Sequence, residues 1–205
     1  MAMNMGSSSK SRNHMMSEIN VTPFVDVMLV LAVDASYSID AEEWALQMQG
    51  YAEAFLDPQV IRALTSGVWG KVAVAMVQWS SYHEQFLVAK WHVVHDVHSA
   101  HAFALQVLES GRRFQSRTSI GGAISFSARV IETAPYRSVK KIIDISGDGP
   151  HNSGLPPQFA RDDALSLGIT INALIMGPVL GLSEHYEQRV IGGPGSFVIR
   201  IAEVS

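Results

Sequence analysis

Cysteine is absent from the 205 residues, which excludes disulfides, thiol catalysis and zinc–thiolate sites while leaving the compartment open. Basic runs are missing too. Lys and Arg number 15 against 19 Asp and Glu, for a net charge of -4, so nothing in the charge pattern points to a nucleic-acid surface. The apolar run Phe24–Val33 holds ten residues and contains Asp26, against the ~20 that a membrane span needs. No Gly-x-Ser-x-Gly elbow, Walker A loop or Gly-x-Gly-x-x-Gly occurs, so hydrolase, NTPase and dinucleotide readings lack their key parts. What remains is a chain long enough for one domain, with 47% hydrophobic residues to build a core.

The most informative stretch is residues 24 to 40, where the apolar run ends abruptly in Asp34, Ser36 and Ser38. Such a run reads as a strand buried on both faces whose carboxyl end opens into a loop, the place where ligands sit in open α/β sheets. An Asp-x-Ser-x-Ser lets one carboxylate and two hydroxyls converge from a single turn, and hard oxygen donors suit Mg²⁺ or Ca²⁺. Lys10 and Arg12, with Val33 and Ala35 at cleavage spacing, resemble a signal peptide. Cleavage there would remove Asp34 from the motif.

Asp40-Ala-Glu-Glu43 forms a capping box, and the helix after it lays Trp44, Met48, Tyr51 and Phe55 on one face. Asp57-Pro58 closes that helix and a short one runs to Leu64. Lys71–Trp79 reads as a buried strand, and Gln85–Trp91 as an edge strand reached by a hairpin through Ser80-Ser81-Tyr82. His92, His95, His98 and His101 recur every three residues, but Asp96 as N-cap leaves the first two outside the following helix, against a shared metal site. That helix carries Val97, Phe103, Leu105 and Leu108. A basic loop with Arg112, Arg113 and Arg117 leads to Thr118 and a helix burying Ile120, Ala123, Ile124, Val130, Ile131 and Ala134. There Gly121 and Gly122 allow close approach to the sheet. Val139–Ile145 is a strand ending in Ser146-Gly-Asp148-Gly-Pro-His151-Asn152. Pro156 and Pro157 open a helix to Leu167, Ile169–Met176 is a fifth strand, Ser183–Val190 a helix, and Ser196–Ile201 a sixth strand. Strand and helix alternate, which predicts an α/β, doubly wound, mostly parallel six-stranded sheet with helices on both faces.

Two resemblances follow from these residues. Met16–Leu31 resembles the start of the TolR/ExbD family of proton-channel partners, in which the Asp aligned with Asp26 lies in a transmembrane helix and responds to protons. That resemblance implies a leader over residues 1–23, expected to be disordered, and a membrane-associated accessory role resting on the N-terminal segment alone. Asp34, Ser36, Ser38, Thr118 and Asp148, in this order across residues 24–205, resemble the von Willebrand factor type A domain, in its bacterial branch of unknown function. Ile191–Gly195 supports the same branch, whose members continue into a terminal helix, so the last strand here is expected to be poorly covered.

This second resemblance implies Mg²⁺, or Mn²⁺ or Ca²⁺, held by the Ser36, Ser38 and Thr118 hydroxyls, with Asp34 and Asp148 direct or through water. An exposed Asp or Glu of a partner protein would complete the coordination, making the chain a non-enzymatic adhesion-type module. Tyr37, where relatives carry Gly, His151 and Asn152 are candidates for the partner surface, with His151 expected as a solvated loop residue. Location in the cell envelope or periplasm follows from the family, and a cytoplasmic one if the N-terminus is neither an export nor a membrane signal. The Gly147–Asn152 segment also resembles the metal loop of haloacid-dehalogenase-like phosphatases, but Ser36 stands where those enzymes carry a second Asp.

Overall fold

The computed structural model describes residues 22–201. Its strands are β1 (Phe24–Asp34), β2 (Val72–Trp79), β3 (Gln85–Val94), β4 (Arg137–Gly147), β5 (Ile169–Met176) and β6 (Val198–Ile201). They form one sheet in the order β3-β2-β1-β4-β5-β6. Every pairing is parallel except the β2–β3 hairpin. All of β2 is buried, as its unbroken Val/Ala run demands of a strand covered on both faces.

The helices are α1 (Ala41–Ala54), α2 (Pro58–Leu64), α3 (Val97–Glu109), α4 (Ile120–Glu132), α5 (Pro157–Ser166) and α6 (Leu182–Arg189). On one face, Ile120, Ile124 and Ile131 of α4 pack with Ile143, Ile145, Ile171, Ile175 and Tyr186. On the other, Met48, Ala52, Phe55, Ile61 and Phe103 cover Leu31, Val33, Val74 and Met76. Phe55 and Phe103 meet edge to face at 4.7 Å. The α1 capping box is present, with the Asp40 carboxylate accepting from the Glu43 N–H and the Glu43 carboxylate accepting from the Asp40 N–H, both at 2.8 Å.

One local expectation, the close approach of Gly121 to the sheet, needs correction. Gly121 gives close approach to a loop, since a Cβ there would fall on the Leu155 carbonyl ahead of α5. Helix α3 buries Ala100, Phe103, Ala104 and Val107 and leaves Val97, Leu105 and Leu108 exposed, because small residues let it sit close to α1 and β3. The TolR/ExbD-like match runs into β1: from Phe24 onward it is a central strand, not a helix. Among the described residues, no helix is long and apolar enough to cross a membrane. The expected disordered leader lies, through residue 21, outside the described residues.

Coverage of the sheet is uneven. The α1 side of β5 and β6 leaves Ile199 and Ile201 exposed, and a groove of about 290 Å³ opens between α1 and Leu174, Met176 and Ile201.

Candidate metal centre

Strands β1 and β4 are parallel neighbours at the middle of the sheet, so their carboxyl ends open side by side. Asp34 closes β1, and Asp148 follows Gly147 at the end of β4. The Asp34 Oδ1 accepts from the Ser36 N–H at 2.7 Å, folding the loop back over the strand end. Ser36 Oγ lies 3.2 Å from Ser38 Oγ, and the Ser38 hydroxyl donates to Asp148 Oδ1 at 2.7 Å. Thr118 is carried in from the loop before α4. Its N–H donates to Asn152 Oδ1 and its carbonyl accepts from the Asn152 N–H, both at 2.9 Å. Two further backbone bonds hold that loop, Tyr37 N–H to Ser116 O at 2.7 Å against the serine loop and Ser119 N–H to Ser80 O at 2.8 Å against the end of β2. Ser38 and Thr118 line one groove.

The electrostatics of the two carboxylates are unresolved by protein groups alone. Asp34 is fully buried, and its Oδ2 has no hydrogen-bond partner. Burial pushes its pKa up to about 7, against the Ser36 hydrogen bonds, and the nearby Asp148 pushes the same way. Asp148 is likewise raised by burial, with the Ser38 hydroxyl opposing. A buried carboxylate oxygen without donors is costly, and a cation removes that cost. The Ser36 and Ser38 hydroxyls beside two carboxylates, with Thr118 lining the same groove as Ser38, fit a hard divalent ion. Among the described residues, no group of three His, Cys, Asp or Glu converges to offer a softer site. His92 instead bonds the Ser99 carbonyl at 2.8 Å, and His95 lies beside Asp96.

Three supporting residues were missed by sequence reasoning. Arg112 Nη2 donates to the carbonyls of Ser36 at 2.6 Å, Ile39 at 2.7 Å and Ala35 at 3.2 Å, tying down the serine loop. Gln47 of α1 donates to the Asp34 carbonyl at 3.2 Å and accepts from Ser146 Oγ at 2.8 Å, which joins the ends of β1 and β4. Tyr186 of α6 is fully buried beneath Gly147, where any Cβ would fall on its hydroxyl. Burial, with Asp34 and Asp148 nearby, drives the Tyr186 pKa upward.

The partner-surface candidates divide. Tyr37 stands 76% exposed at the mouth, and no non-glycine residue among those described has a positive φ, so its backbone does not demand Gly. His151 is half-buried, not a solvated loop residue: its Nδ1 is buried without a partner, and burial holds its pKa down. Asn152 is exposed, but its side-chain oxygen is spent on Thr118.

With this geometry in view, comparison with solved structures identifies the fold. Proximal thread matrix protein 1 from the mussel byssus, with zinc in its MIDAS motif, is 16% identical with a TM-score of 0.65, covering 88% of this chain and 45% of that one. A von Willebrand factor type A protein from Catenulispora acidiphila is 19% identical with a TM-score of 0.60, covering 87% and 39%. The pilus adhesin SpaC from Lactobacillus rhamnosus GG is 15% identical with a TM-score of 0.62, covering 86% and 28%. The chain thus spans less than half the length of these proteins, and the likeness is one of fold, the von Willebrand factor A type. No curated protein matches it. Residues 24–205 match the model of the family described as protein of unknown function (DUF1194), and the chain belongs to that family.

Proposed function

We propose that the chain is a metal-ion-dependent protein-binding module without catalytic activity. Ser36, Ser38 and Thr118 hold Mg²⁺, or Mn²⁺ or Ca²⁺, through their hydroxyls, and Asp34 and Asp148 neutralise it directly or through water. A partner's Asp or Glu carboxylate completes the coordination, so the ion is the recognition element. The observation that carries this reading is the fully buried Asp34 Oδ2, left without a donor beside Gly147 at the end of β4. Support for a binding role also comes from a pilus adhesin among proteins of the same fold. The phosphatase-like alternative lacks its acid/base, because Ser36 stands where those enzymes carry the second Asp.

The test is direct Mn²⁺ titration followed by electron paramagnetic resonance. Wild type is expected to bind one ion, and Ser38→Ala with Thr118→Val to weaken it at least about tenfold, the loss of about 1.4 kcal/mol. Undiminished binding by that double variant would place the ion elsewhere and sink the proposal.

A further inference from the structure

The loop between α3 and α4, residues 111–117, carries three arginines and no acid. Two of the three are committed. Arg112 serves the carbonyls of the serine loop, and Arg113 lies over the Phe86 ring at 4.0 Å. Arg117 is exposed and makes no ion pair among the described residues. Its main chain is nonetheless anchored, since its carbonyl accepts from Ser80 Oγ at 3.1 Å. The main chain is fixed, and the guanidinium is uncommitted among the described residues.

Arg117 lines a groove of about 410 Å³ together with Tyr37, Gln115 and Asn152, and the remaining walls include Ser38 and Thr118. The groove therefore opens directly onto two of the candidate ion ligands. A segment arriving at the ion along this groove meets a free cation.

We infer that this groove receives a second acidic side chain of the same partner segment, so that the chain recognises a short extended protein segment with two carboxylates. One carboxylate sits on the ion and the other on Arg117. The inference rests on the proposed ion site. Its charge logic is simple: the first partner acid goes to the ion, and Arg117 offers an unpaired positive charge in the same groove for a second. Guanidinium takes carboxylate in a two-pronged geometry, which fixes direction as well as sign. Tyr37 offers a flat wall for the aliphatic stem between the two acids.

The experiment uses the full chain in Mg²⁺ and labelled peptides read by fluorescence anisotropy. One peptide carries a single Asp in a Gly/Ser background, and a series adds a Glu at successive positions after it. On wild type the best diacidic peptide is expected to bind about three- to fivefold tighter than the monoacidic one, the range of an exposed ion pair. That preference should vanish in Arg117→Gln and reverse in Arg117→Glu, with Mg²⁺ affinity unchanged. It should persist in Arg129→Gln, which makes the same change in net charge near the C-terminal end of α4. Equal affinities on wild type, or a preference that survives Arg117→Gln, overturns the inference while metal-dependent binding of the monoacidic peptide keeps the ion site. If no peptide binds better in Mg²⁺ than in chelator, the binding-module reading falls and this inference with it.

Discussion

Strand β1 carries an aspartate near each end, and the two are treated in opposite ways. Asp26 has both oxygens filled: Oδ1 accepts from the Trp69 N–H at 3.0 Å and Oδ2 from the Lys71 N–H at 2.9 Å. Gly67 leaves room for it, since a Cβ there would fall on the Asp26 carboxylate. Those donors, Lys71 first, hold its pKa below the ordinary range. Asp34 is buried with one oxygen filled and one empty, and its pKa rises to about 7. The difference separates an acid whose charge the fold has already answered from one whose charge awaits a cation. It also separates the two resemblances, because the residue aligned with a proton-responsive Asp is here a capped, ionised loop anchor.

The comparison breaks most visibly with pH. A folded pKa of about 7 against an ordinary 3.8 means that ionising Asp34 favours the unfolded chain. Its contribution is fully present below about pH 4 and lost as pH rises through about 7, a span of about 4 kcal/mol. In chelator, Asp34→Asn should therefore match wild type near the acid end and exceed it by up to that amount above pH 7, measured by urea unfolding. Asp26 has the opposite sign: its stabilisation is present above the ordinary carboxylate pKa and is lost as pH falls through the lowered value.

Next in size is Arg112→Ala, which removes three hydrogen bonds to the serine loop and a cation near both site acids. A loss of about 3 kcal/mol is expected, with weaker Mn²⁺ binding in the same preparation. Smallest is Tyr37→Gly. The side chain is 76% exposed and its backbone is ordinary, so stability should change by no more than about 1 kcal/mol and ion affinity not at all. Calorimetric unfolding with and without Mg²⁺ checks both.

Much of this was legible because the relevant signals are local. Asp34, Ser36 and Ser38 sit in one turn, and Asp148 and Thr118 mark a strand end and a helix entry. The Asp40–Glu43 capping box and the Val/Ala run of β2 each announce their own element. The rest depends on contacts that sequence spacing does not encode. Arg112 reaches carbonyls more than 70 positions away, and Gln47 joins two strand ends from the middle of a helix. Tyr186 comes to lie under Gly147 only after β5 and α6 have folded over the sheet. His151 read as solvated because it lies in the loop after β4, whereas tertiary packing half-buries it and leaves its Nδ1 without a partner. Nor does spacing show that α3 packs through Ala100, Phe103, Ala104 and Val107 while Leu105 and Leu108 stay exposed.

The most direct test compares Mg²⁺-dependent thermal unfolding of wild type, Asp26→Asn and Asp34→Asn at pH 8. At about a hundred times the dissociation constant, the ion should stabilise wild type by about 2.7 kcal/mol, a rise of about 5–10 °C in Tm for a chain of this size. Asp26→Asn should be less stable than wild type but show the same rise, while Asp34→Asn should be more stable than wild type in chelator and show none. An equal rise in Asp34→Asn, or a lost rise in Asp26→Asn, would contradict the account.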